Sequence, residues 1–290
     1  MSAINNESKE TVTTPESQGV PSVTSARRRR RIVVNILRVL LLIVIIGGWE
    51  LATRVGIIDP FTWGRPSGIW QQLVTWVTQG TAQGPLWQQI AVTLEEAIIG
   101  FVIGAVLGIV FGVVLGRNRF LADVLGPYVK VANSIPRVTL APLFAIGLGL
   151  DIQSKVALAV VLVFFIVFFN AFQGVREVDR NLLANARILG ASQRRITTAV
   201  IIPSALTWIF ASLHTSFSFA LVGAVVGEYV GAIQGIGLLI QTAGATFNAN
   251  GVFAAMVILA VVALLSEFLI TALERRLLKW RPNPVTDVTI

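Results

Sequence analysis

The sequence predicts an all-α, polytopic membrane protein with about six transmembrane helices. Three observations predict it. Of 290 residues, 54% are hydrophobic and only 13% are charged, whereas soluble domains carry about a quarter charged residues. The missing charge is concentrated, so that stretches of about 20 residues, the length that spans hydrocarbon, are almost wholly apolar. The Lys and Arg residues gather between those stretches and mostly at alternate ends of them. An ionised side chain inside a bilayer costs several kcal/mol, so a membrane-crossing chain is driven to this pattern. The mean hydropathy of +0.76 agrees. A formal net charge of +8 could mark a nucleic-acid binder. That class is excluded because the excess lies at the ends of apolar segments and not on a polar face. The absence of cysteine excludes disulfide and thiol chemistry.

The elements follow in order. Residues 1–31 begin with a polar, Ser/Thr/Glu-rich stretch without apolar patterning and are expected to form a disordered basic N-terminus. The Arg27–Arg31 run resembles the start of a signal peptide. The apolar stretch behind it is too long and lacks a small-residue cleavage site, which makes it a retained first span. The spans are Val33–Leu51, Ile90–Leu115, Val124–Leu148, Val156–Gln173, Leu206–Val226 and Val252–Leu273, within a membrane domain running from 32 to 281. Residues 282–290 form a C-terminal tail. The third span contains Lys130, Pro136, Arg137 and Pro142. Proline-interrupted helix at membrane depth is tolerated where it is buried in protein or lines a cavity, so this span is the expected wall of a pathway.

In the second span Gly100, Gly104, Gly108, Gly112 and Gly116 recur every four residues. They form a groove that lets another helix approach closely. The partner is either a helix of the same chain or a second copy across a dimer seam.

With the N-terminus inside, the inner segments hold Lys9, Arg27–Arg31, Arg117, Arg119, Arg176, Arg180, Arg187, Arg194, Arg195, Arg275, Arg276, Lys279 and Arg281, while the outer side keeps Arg54 and Arg65. The positive-inside rule selects this orientation, with both termini cytoplasmic and six crossings.

The inner segment 174–203 is the most polar internal stretch. Leu182, Leu183, Ala186 and Leu189 recur at helical spacing. Gly190 suits a left-handed C-terminal cap, and Ser192 is placed to cap a second short helix from Gln193. The expectation is a surface helix–turn–helix tethered to two spans, although a basic loop resting on headgroups would share these features.

Ala184, Asn185 and Ala186, then three residues, Gly190, nine residues, and Val200-Ile201-Ile202-Pro203 resemble the "EAA" loop of binding-protein-dependent ABC transporter permeases. In that family the order is Glu-Ala-Ala, three residues, Gly, nine residues, Ile-any-Leu-Pro. Ala186, Gly190 and Pro203 match, whereas Ala184 and Asn185 depart from Glu and Ala, which removes any salt bridge the family Glu would make. The likeness runs from about Trp49 to Trp280. Ser134–Leu143 is similar to the Pro-rich third span of the nitrate, sulfonate and taurine branch, Phe61–Trp70 to the external segment after their first span, and Glu228 with Gly235–Leu239 to the segment before their last span.

The resemblance implies a type I importer-like permease in a bacterial cytoplasmic (inner) membrane. It would work with a second permease copy, a cytoplasmic ABC ATPase dimer at 174–203 and an extracytoplasmic substrate-binding protein. ATP would be bound by the partner, since no phosphate-binding loop motif occurs in this chain, and the permease would itself be non-catalytic. The expected cargo is a small organic or inorganic anion such as a sulfonate, taurine or nitrate, though related permeases carry vitamins or pyrimidine precursors.

Candidate pathway residues are Arg137, His214 and Glu228. An intramembrane Arg137 either attracts an anion or pairs with a carboxylate such as Glu228. His214 either lines the pathway or makes an interhelical hydrogen bond. A secondary transporter or channel would need internal repeats and ion-coupling carboxylates at mid-membrane. A membrane enzyme would need a catalytic constellation, yet the chain has no cysteine, one histidine and no metal-ligand spacing.

Overall fold

The structure, a computed structural model, describes residues 23–178 and 180–277. Most of the expected disordered N-terminus, Asp179, Trp280 and the tail 282–290 lie outside the described residues. The described chain is helical: α1 Val23–Arg54, α2 Pro60–Trp63, α3 Pro66–Thr78, α4 Leu86–Arg117, α5 Arg119–Ser134, α6 Ala141–Leu148, α7 Ile152–Arg176, α8 Arg180–Ile188, α9 Gln193–Ile196, α10 Ile202–Val230, α11 Ile236–Ala245 and α12 Ala249–Leu277. Helix α1 starts at Val23, ahead of the 31/32 boundary read from composition.

The centre of the bundle is α7, gripped by α4 on one side and α10 on the other. The α4 side is the glycine stripe. A Cβ added at Gly104 would lie 2.8 Å from Val163 Cβ, at Gly108 2.8 Å from Val167 Cβ, at Gly112 2.7 Å from Ala171 Cβ and at Gly116 2.8 Å from Val175 Cβ; at Gly100 it would meet Ala159. The stripe is therefore filled by a helix of the same chain. Both residue series rise together, which makes α4 and α7 parallel. On the other side Gly223 abuts Ala159, Gly227 abuts Lys155 and Gly174 abuts Ala205, a series that runs in opposite senses and makes α10 antiparallel to α7.

Parallel α4 and α7 require the chain to cross back between residues 118 and 151. The only helices there are α5 and α6, joined through a 3₁₀ turn at Arg137–Leu140. Their axes meet at 82°. The third span is thus a broken one, and the five helices long and apolar enough to cross alone become six crossings with it. The break falls at Ile135–Pro136, where Pro136 bars the α region to its predecessor; Ile135 is extended, at φ −72° and ψ 128°.

Around this core α3, α11 and α12 pack against the first part of α4, burying Ile69, Trp76, Leu86, Ile236, Leu239 and Ala254. Helix α1 stands apart, since its most apolar stretch, within Ile32–Arg54, is 0% buried within the chain. It is held at its C-terminal end, where Ser67 N donates to Glu50 Oε2 at 3.0 Å and the rings of Trp49 and Phe253 meet edge-on at 5.3 Å. Nearby, Arg65 N donates to Asn250 Oδ1 at 2.9 Å, so the end of α1 and the start of α12 share one end of the bundle.

Candidate functional site

The hairpin between α7 and α10 forms largely as its residues dictate. Helix α8 ends at Ile188, and Gly190 takes φ +74°, the left-handed conformation that a glycine adopts without steric cost. Gly190 N then donates to Arg187 O and Ala191 N to Ala186 O, both at 3.0 Å, satisfying carbonyls at the helix end. Ser192 caps the next helix, with its Oγ accepting from Arg195 N at 3.3 Å. Ala184 and Asn185 are exposed and Ala186 half-buried. Ile188 and Leu189 are 83% and 85% exposed, side by side at the tip.

The second short helix differs from its expectation. Helix α9 does not stop: it runs through a π turn, Thr197–Ile201, into α10, giving one rod from Gln193 to Val230. Ile202 N donates five residues back to Thr197 O. The wider turn precedes Pro203, which lacks an N–H and would crowd the carbonyl four residues earlier in a regular helix. Pro203 thus sits inside a continuous rod near where the span begins.

At the far end of that rod, Glu228 is 0% exposed and caps α11. Its Oε2 accepts from Gly237 N and its Oε1 from Thr93 Oγ1, both at 2.6 Å. Thr93 Oγ1 accepts from Ile236 N at 2.9 Å, and Gln89 Oε1 accepts from Gly235 N at 2.8 Å. Three backbone donors at the start of α11 are thereby satisfied by side chains of α4 and α10, as a helix N-terminus requires. Glu96 and Lys155, both buried, lie beside Glu228, and the Lys155 ammonium donates to the carbonyls of Leu150 and Asp151. Among the pathway candidates, Glu228 is therefore a helix cap with no open face. Gln89, Thr93 and Lys155 were missed by reading the sequence; the one available signal was a cluster of polar residues in the first turns of apolar helices.

The expected pairing of Arg137 with Glu228 does not form. Arg137 lies on the turn at the break of the third span, bonds to Asn133 Oδ1 and stacks over Phe165 at 4.7 Å from the ring centroid. Glu228 is committed to α11, and the bend carries Arg137 to the aromatic face of α7. His214 pairs with Glu267 of α12, the interhelical bond that was one of its two expected roles. Towards the other end of α5, that helix and the last part of α7 line a cavity of about 480 Å³ carrying Asp123, Lys130 and Arg176 among Phe168, Phe169 and Phe172.

Residues 104–279 match the family described as binding-protein-dependent transport system inner membrane component. Similar proteins include an aliphatic sulfonates transport permease protein of Bacillus subtilis (strain 168), 32% identical over 198 residues, covering 68% of this chain and 72% of the relative. A riboflavin transport system permease protein of Chloroflexus aurantiacus is 37% identical over 205 residues, covering 71% and 76%. A taurine transport system permease protein of Escherichia coli K12 is 28% identical over 233 residues, covering 80% and 84%. Among solved structures, an inward-facing methionine ABC transporter aligns with a TM-score of 0.53 at 22% identity, covering 66% of this chain and 93% of that one. An amino acid ABC transporter aligns with the same score at 20% identity, covering 63% and 90%. The chain belongs to the family of binding-protein-dependent transport system inner membrane components, as the multi-pass, itself non-catalytic permease subunit of an ABC importer.

Proposed function

We propose that the hairpin 174–203 is the surface on which a cytoplasmic ABC ATPase dimer docks, and that ATP bound and hydrolysed there moves the spans through α10. The observation that carries this reading is the tip: a helix capped at Gly190 that leaves Ile188 and Leu189 almost wholly exposed, on a loop that also carries Arg187, Arg194 and Arg195. Two bare aliphatic side chains on a polar hairpin are a small docking surface without an occupant among the described residues. The clustering of arginines at this end supports a cytoplasmic placement, with both termini on the same side. A second permease copy and an extracytoplasmic binding protein complete the importer.

The cargo we propose is a small anion of the sulfonate or taurine class, supported by the sulfonate and taurine relatives. A second reading, a riboflavin-like vitamin, is favoured by the 37% identity to the riboflavin permease.

The test uses the full chain co-expressed with its ATPase. Ile188→Asp with Leu189→Asp should leave the permease folded in the membrane, and should cut co-purifying ATPase and ATP-driven uptake by about tenfold or more, the loss expected for a small hot spot. Undiminished co-purification would sink the docking surface. Uptake of labelled taurine, an alkanesulfonate, nitrate and riboflavin, with and without the binding protein, separates the two cargo readings.

A further inference from the structure

A second feature begins at Arg187, next to the tip, and reaches the start of α5. The short connection between α4 and α5 faces the root of the hairpin across a cavity of about 710 Å³. Arg117, Arg119 and Arg187 line it together with Gln193, and no acidic residue among the described ones does. None of the three guanidinium groups has a hydrogen bond or ion pair to another described residue, whereas the guanidinium of Arg54 pairs with Glu50 and that of Arg137 bonds to Asn133. The three arginines are exposed, and with no described carboxylate on the cavity they give it a positive field that favours an anion.

The walls say which anion. Val114, near the end of α4, and Phe120, in the first turn of α5, also line the cavity, and they are 47% and 74% exposed. Moving along α4, the surface passes from bare apolar side chains to arginines at the helix terminus. A soluble phosphate would use the arginines and leave the apolar wall wet. A phospholipid would use both, its acyl chains along Val114 and Phe120 and its phosphate in the arginine fork, where guanidinium groups bind phosphate oxygens in pairs. Basic pockets between membrane helices near the cytoplasmic side hold anionic headgroups on these grounds.

We infer that Arg117, Arg119 and Arg187 form a headgroup site for an anionic phospholipid at the root of the hairpin. Arg187 belongs to α8 itself, so an occupied site ties the hairpin to the α4–α5 connection through the lipid phosphate. This reading shares α8 with the proposed ATPase docking surface but does not rest on it, since that surface uses the apolar Ile188 and Leu189 and this one the neighbouring Arg187.

The test is retention of lipid by the purified full-length chain, measured by native mass spectrometry and by thermal shift with phosphatidylglycerol, with phosphatidylcholine, and with inorganic phosphate alone. Phosphatidylglycerol should be retained over phosphatidylcholine, and Arg117→Gln/Arg119→Gln/Arg187→Gln should weaken its binding by about tenfold or more at low salt. The triple lysine variant keeps the charge and loses the fork, so it should hold an intermediate preference; it also serves if the glutamine variant does not fold. Equal retention of the two lipids, an unchanged preference in the variants, or displacement of phosphatidylglycerol by millimolar inorganic phosphate would overturn the inference, the last by pointing to a soluble phosphate site.

Discussion

Substitution of one stripe glycine tests the core of the fold. At Gly108 an added Cβ would lie 2.8 Å from Val167 Cβ and 2.9 Å from Phe164 O, whereas carbon atoms rest at about 3.5–4.0 Å. Roughly 1 Å must come from parting α4 and α7. The Phe164 contact is backbone and cannot rotate away, and the neighbouring glycines are equally tight. Overpacking of this kind costs about 1–3 kcal/mol, against which alanine recovers about 0.5–1 kcal/mol of helix propensity over glycine. Gly108→Ala should therefore destabilise by about 1–2 kcal/mol. Gly126 in α5 and Gly147 in α6 supply the control, because a Cβ there would meet nothing within 4 Å; alanine at either should be neutral or stabilising. The assay is thermal unfolding of the detergent-purified chain, with the pair Gly108→Ala/Val167→Gly included. Glycine at 167 removes the Cβ that the new methyl would strike, so the pair should lose less than the sum of its two single variants. If Gly108→Ala is as stable as Gly126→Ala, the stripe is not the close seam described and the parallel α4–α7 contact fails with it.

The other predictions concern the rod and its neighbours. Gly190 is left-handed, but a side chain there would meet open space. Backbone strain therefore decides, rather than bulk: Gly190→Asn should keep ATP-driven uptake, while Gly190→Val and Gly190→Trp should lose most of it with the protein still folded, and equal uptake in all three would refute this. Glu228→Ala strands Gly237 N–H and leaves the Thr93 hydroxyl only its longer bond to Gln89 O, and should cost about 3 kcal/mol in thermal unfolding, with Glu228→Gln milder; an unaltered Glu228→Ala protein would refute the cap. A double-mutant cycle across His214→Ala and Glu267→Ala should give a coupling of about 1 kcal/mol between α10 and α12, in the range of membrane interhelical hydrogen bonds, and strict additivity would deny the contact.

What the sequence reveals depends on how local the cause is. The glycine stripe was legible because a four-residue period drifts only slowly around a 3.6-residue helix. Gly190 and Ser192 were legible because caps are decided within about five residues. The 82° break at Ile135–Pro136 was not, because a proline can be carried inside a membrane helix or can end it, and only the position of α7 forces the second outcome. Nor was the α11 cap, in which Thr93 meets Glu228 across 135 residues and Gln89 meets Gly235 across 146. A charge in a membrane span signals function by default; that default picked out Arg137, took Glu228 as its possible partner, and overlooked the helix terminus that Glu228 serves.

The rod that joins these two regions constrains how they can communicate. From Gln193 to Val230 it runs 38 residues, roughly 55 Å, with the exposed hairpin at one end and the buried Glu228 cap at the other. Along α7 it has no slack, since Gly223 and Gly227 already sit within van der Waals reach of Ala159 and Lys155. A packed seam of this kind does not bend by small increments; it shifts as a body or stays. The one irregular stretch is the π turn Thr197–Ile201, where helical hydrogen bonding already departs from the regular pattern. A force on the hairpin is therefore either absorbed at that turn or delivered whole to α10, α7 and, through Glu228, to α11.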